Sequence, residues 1–289
     1  MTRFASIFEM RSMSSNAAGF AQVAELYDFA RKADSDVVGV NCNAVRWIDA
    51  NMAAALAACM LKLRKNDRKI LKFIKLRQDI KVILQDAGLF LGGSSRKTNI
   101  PLRQFTRGQS RKFAGYTHDH LMNKPIPLMT DAVRARVLEG IDEIFQNFEI
   151  HSKSELGLFA SGQLYPRKNR LEFSLADMGV GIPFNVATAL QRPIRADAAI
   201  EWAMSGRNTT RQLDIPGGLG LKLLREFITL NGGTLSVISG GGYWSISAQG
   251  VKRSILPLPI LGTVVNISVN TADANSYQLD DEIDPSELF

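Results

Sequence analysis

The stretch that decides the reading is LADMGVGIP, residues 175–183, in which a carboxylate, Asp177, ends an apolar run (Leu171 to Leu175) and is followed by Gly179, Gly181 and Pro183. A carboxylate closing a strand suits an exocyclic amine such as that of adenine, and glycines let backbone approach a base and turn sharply. Upstream, Asp131 to His151 reads as one long helix, with Val133, Val137, Ile141, Ile144 and Phe148 along one side. Glu143 and Asn147 lie four residues apart on it, so their side chains stack on one face. There a carboxylate can orient water or accept a proton, and an amide oxygen can ligate magnesium. Downstream, Gly217, Gly218 and Gly220 precede a helix from Leu221 to Leu230, whose free amides and dipole favour phosphate. This run is not a Walker motif. Finally, Gly262 and Thr263 open an apolar strand, Val264 to Val269, from which a hydroxyl would reach the same carboxylate as the adenine.

Each element is common by itself, but their order and spacing together resemble the GHKL ATP-binding domain shared by gyrase, heat-shock chaperone ATPases, histidine kinases and MutL. Residues 131–151, with Asn147, His151 and the following Ser152, resemble its N box. Residues 177–183 resemble its first glycine box and residues 217–221 its second. The resemblance spans about Met129 to Ala272 and implies an α/β sandwich that binds ATP and Mg2+. It implies Asn147 as the magnesium ligand, Asp177 as the adenine acceptor with Gly179, Gly181 and Thr263 around it, and Gly218, Leu219 and Gly220 bordering the triphosphate. Glu143 is the implied base, and residues 184–216 are the implied lid, in which Arg195, Arg207 and Arg211 are candidates to approach phosphate.

The first ninety residues read as a small α/β layer: a helix at Ala17 to Arg31, a strand at Val37 to Cys42, an Ala-rich helix from Ala50 to Leu63, a strand at Ile70 to Ile74 and a helix at Asp79 to Ala87. With Val45, Trp47, Ile48 and Asp49 before the second helix, this pattern resembles the STAS domain of anti-sigma antagonists and sulfate transporters. In signalling members a phosphorylated Ser or Thr follows the Asp. Ala50 stands there in this chain, which implies docking rather than service as a phosphoryl acceptor. The expected organisation is thus a STAS-like domain (1–92), a basic connecting segment (93–128), a GHKL domain (129–272) and an acidic flexible tail (273–289). Part of the connecting segment is a candidate extra strand for the domain that follows.

The chain has 289 residues, 45% of them hydrophobic, enough for two modest cores. No apolar run approaches the ~20 residues of a membrane span, and the N-terminus does not read as a secretory signal, so a soluble cytoplasmic protein is expected. Cys42 and Cys59 read as buried thiols, and with three histidines they make a structural zinc site an unpromising reading. The net charge of +7 gathers in residues 62–81 and 93–128. These runs leave nucleic acid open as a partner, but they lack the interleaved aromatic residues of a base-stacking platform.

His118 and His120 sit in a Gly- and Pro-flanked stretch, 115–127, that reads as a solvated loop without the helical pattern of a phosphoacceptor. A dimer clamp is disfavoured, because no further domain that would deliver a lysine follows the last strand. The reading that remains is an ATP-binding regulatory protein that hydrolyses ATP or phosphorylates a protein partner, as anti-sigma serine kinases do, with the STAS-like domain docking the partner. The alternative is a nucleotide-gated interaction switch without significant turnover.

Overall fold

The structure, a computed structural model, describes residues 4–94, 96–205, 219–279 and 282. It is a mixed α/β protein built on two principal sheets. The smaller has three parallel strands, β1 (Ile7–Glu9), β2 (Val37–Asn41) and β3 (Ile70–Ile74), in spatial order β1-β2-β3. They alternate with α1 (Ala17–Lys32), α2 (Ala53–Asn66) and α3 (Gln78–Asp86). Asn16 starts α1, its side chain accepting from Gly19 N at 3.0 Å. Cys42 and Cys59 are free and buried, and burial pushes their thiols up to about 11 and about 12.

The chain then forms β4 (Asn99–Phe105), α4 (Ser110–Leu121), β5 (Leu128–Met129) and α5 (Asp131–His151). The long hairpin of β6 (Leu158–Tyr165) and β7 (Arg170–Asp177) follows, then α6 (Ile182–Leu190), α7 (Ala196–Met204) and α8 (Leu219–Leu230). The last elements are β8 (Thr234–Ser247), β9 (Gly250–Asn270) and β10 (Ser276–Tyr277). The larger sheet is antiparallel with order β4-β6-β7-β9-β8, and β10 pairs with β5. The basic segment 93–128 therefore supplies a strand, β4, whose Phe105 pairs with Leu158. It also supplies a helix, contrary to the solvated loop expected around His118 and His120. Phe113, Tyr116, Thr117 and Leu121 recur at helical spacing, all buried, and they hold α4 against the core despite the flanking glycine.

Side chains alternate across β7, so one strand serves two cores. Leu171, Phe173 and Leu175 join a core with Phe145 and Phe148 of α5 and Leu224 and Ile228 of α8. Ala176, with Phe159 of β6 and Val264 of β9, joins the core of the N-terminal unit, where α1 and α2 cover the opposite face. The molecule is a stack in which the larger sheet is sandwiched between its own helices and the N-terminal layer.

Polar groups fix the second contact. Asn51, fully buried, directs its amide nitrogen at Ser15 Oγ (2.7 Å), Ser174 Oγ (2.8 Å) and Asn266 Oδ1 (2.8 Å). Ser161 Oγ donates to Asn51 O and accepts from Ala54 N, both at 3.0 Å. The Ala50 amide donates to the Tyr165 hydroxyl at 2.7 Å. Arg170 forms ion pairs with Glu172 (2.8 Å) and Asp49 (3.5 Å). Ala50 is 3% exposed and faces this interface. No helix of the described residues is long and apolar enough to cross a membrane.

Candidate functional site

α5 begins where Thr130 Oγ1 accepts from Val133 N (3.2 Å). Its apolar face is held by the core, which turns Glu143, Asn147 and His151, at four-residue intervals, into one cavity of about 200 Å³ between α5, α8 and the sheet. From the sheet, Asp177 and Thr263 line the same cavity, as does Gly181. Residues separated by 120 positions in sequence thus converge.

Asp177 ends β7 at 4% exposure. Its Oδ1 accepts from Gly179 N at 2.7 Å, and the Gly179 and Thr263 amides favour the carboxylate, yet burial outweighs them and pushes its pKa up to about 7. A further donor would relieve that penalty. The surrounding glycines are required by space: a Cβ on Gly179 would fall 1.9 Å from Ser152 O, and one on Gly262 (φ +71°) would fall 2.2 Å from Asp177 O. Thr263 Oγ1 lies 2.9 Å from Ser239 Oγ, which also accepts from Ile182 N (2.8 Å). The threonine hydroxyl is therefore tied to Ser239, and it is the Thr263 amide that acts on Asp177.

Glu143 reaches across to α8. Its Oε2 accepts from Leu221 N at 3.0 Å, so the side chain caps a free amide in the N-terminal turn of α8. Close packing brings the two helices together, since a Cβ on Gly140 would meet Gly220 O at 2.6 Å. Asn147 lines the cavity without a side-chain hydrogen bond among the described residues. Among these residues no three His, Cys, Asp or Glu side chains gather to hold a metal. The donor set at Asn147 fits a magnesium ion held mostly by phosphate oxygen and water, as that ion prefers.

Leu219 and Gly220 open α8, whereas Gly217, Gly218, Arg207 and Arg211 lie outside the described residues. Arg195 is described, and it does not line the cavity. It pairs with Asp197, two residues on, through Nε (2.6 Å) and Nη2 (2.7 Å) at the start of α7. The cavity adds residues that motif reading passed over: Asn185, whose amide donates to His151 O (3.1 Å), Trp202, Lys222 and Arg225. Only the i, i+3 spacing of Lys222 and Arg225 behind the glycine run hinted at the last two.

No known family model matches the chain, and no curated protein matches it.

Proposed function

We propose that this chain is a cytoplasmic, ATP-binding regulatory protein of the GHKL type with a STAS-like N-terminal layer. The observation that carries the reading is Asp177: a carboxylate buried at a strand end, cradled by glycines that leave no room for side chains, with the Glu143–Asn147–His151 face across the same cavity. A buried acceptor with one oxygen served by a backbone amide suits an exocyclic amine. Asn147 and the amides opening α8 would hold the metal and phosphate end, and bound magnesium would supply charge neutralisation there.

Phosphate at the α8 terminus would compete with Glu143 for the Leu221 amide. Displacement would free the carboxylate to orient a water or an acceptor hydroxyl, so hydrolysis or protein phosphorylation is the activity proposed. The Ala50–Asn51 loop would not supply the acceptor, because it is buried against the chain's own sheet. The protein partner proposed for the N-terminal layer would accordingly dock on a surface other than this loop. The second reading, a nucleotide-gated switch without turnover, draws on the same Glu143–Leu221 bond, which keeps the base engaged.

Titration calorimetry with Mg2+ and ATP, accompanied by phosphate release, tests both. Wild type is expected to bind, and Asp177→Asn, which places an amide donor opposite the amine, to bind at least about 100-fold more weakly. Phosphate release abolished by Glu143→Gln with binding retained supports the enzyme; binding with no release supports the switch. Absence of ATP binding by wild type would sink the proposal.

A further inference from the structure

α8 carries a guanidinium whose surroundings are incomplete. Arg225 lines the cavity, and its Nη1 donates to the carbonyl of Met204, the last residue of α7. Its guanidinium carbon lies 5.5 Å from the centre of the Trp244 ring, and the Trp244 indole N–H donates to Glu201 Oε2 at 2.7 Å. Among the described residues Arg225 Nε, which is buried, has no hydrogen-bond partner, and no carboxylate lies within ion-pair distance of the group. An arginine has five N–H donors in a planar fork. Here one goes to a neutral carbonyl, the ring contributes a weak attraction, and an inward donor is left without an acceptor. The residue is half-buried, and leaving the inward N–H of a charged group unpaired is costly unless an anion completes it.

The other cationic groups near α8 behave differently. Lys222 faces solvent in an ion pair with Glu226 (3.7 Å), and Arg195 is satisfied by Asp197. Arg225, like Lys222, lines the cavity, and Glu201 and Glu226 attract it only from beyond ion-pair distance; what sets it apart is a buried Nε without a partner among the described residues.

Resting on the nucleotide reading above, we infer that Arg225 is a ligand of the polyphosphate, and that its capture by phosphate draws it off the Met204 carbonyl, linking the charge of the bound nucleotide to the end of α7. Bidentate phosphate binding is what the fork geometry does best, and the transfer exchanges a neutral acceptor for a charged one. Trp244 lies beneath the same guanidinium and is anchored to Glu201 of α7, so it reports on the exchange.

The test compares adenosine, ADP and ATP, each with Mg2+, by calorimetry on the full chain and on Arg225→Gln and Arg225→Lys. We expect Arg225→Gln to weaken ATP by about 10- to 100-fold, the effect of one charge-assisted contact, and to leave adenosine within about 3-fold. Lysine should restore part of the loss. Equal losses for adenosine and ATP, or no loss for ATP, would overturn the inference while leaving the nucleotide site intact. Failure of wild type to bind any of the three would overturn both. Should the glutamine variant fail to fold, Trp244 emission in a Trp47→Phe, Trp202→Phe protein decides: a change with ATP and ADP but not adenosine is expected, and a response equal for all three, or none, refutes the assignment.

Discussion

The two faces of the larger sheet are made by the same strands, but they treat polar groups in opposite ways. On the face toward the N-terminal layer, Glu172, Ser174, Ser161 and Asn266 are buried and bonded to one another or to the loop that begins α2. The exceptions there are Asn51 Oδ1 and Arg170 Nε, the latter held in an ion pair with Glu172. On the cavity face, Asp177 is buried with burial dominating its titration, and among the described residues the half-buried Asn147 side chain and the buried Arg225 Nε have no hydrogen-bond partner. Satisfied buried networks lock an arrangement, whereas unsatisfied buried groups mark a place completed by something else. The difference identifies the first face as architecture and the second as a binding site, from neighbouring residues on one strand.

The comparison breaks most visibly if a charge is forced into the architectural face. Ala50→Asp would place a carboxylate at 3% exposure beside Asp49, with the Ala50 amide held by Tyr165. A cost of about 3–5 kcal/mol is expected, seen as a lower denaturant midpoint. A shift near zero would show that the N-terminal layer separates readily from the sheet. The next largest effect should come from Asn51→Ala, which leaves the Ser174 and Asn266 pair without its donor and is expected to cost about 2–3 kcal/mol. Additivity of Asn51→Ala with Asn266→Ala, instead of strong coupling, would mean the network is not a unit.

How much of this was legible depends on the range of the interactions. α5 runs over the residues expected, Asp131–His151, because its apolar spacing is a local signal; Ile70–Ile74 was equally clear. β9 extends to 21 residues where sequence indicated only the run from Val264, since Pro257, Pro259 and Gly262 disguise a strand that pairs with β8 across irregular register near Gly240. The docking of Asn51 joins residues 123 and 215 positions away, and nothing local announces that. In the cavity, Glu143, Asn147 and Asp177 were visible through spacing and turn chemistry and do converge. Arg225 was not, because a cation on a helix reads as a solvated position until burial is known.

The smallest expected effect is the most diagnostic, since it asks whether Asp177 works for the fold at all. Its pKa in the folded protein is pushed from 3.8 to about 7 by burial, so between those pH values the folded state holds a proton that the unfolded chain releases. The stability this contributes is present below about pH 4, declines as pH rises toward 7, and is gone above it. The rise sets a ceiling of about 4 kcal/mol; local water entry should leave about 2 kcal/mol. Asparagine does not titrate, so Asp177→Asn should match wild type in urea unfolding at pH 4 and exceed it at pH 8, with the gap opening between. Glu172, also pushed up to about 7 by burial, titrates equally in both proteins and cancels from the difference. A variant less stable than wild type at every pH would place Asp177 with Asn51 among the groups that hold the sheet together, and the contrast between the two faces would fail at its central residue.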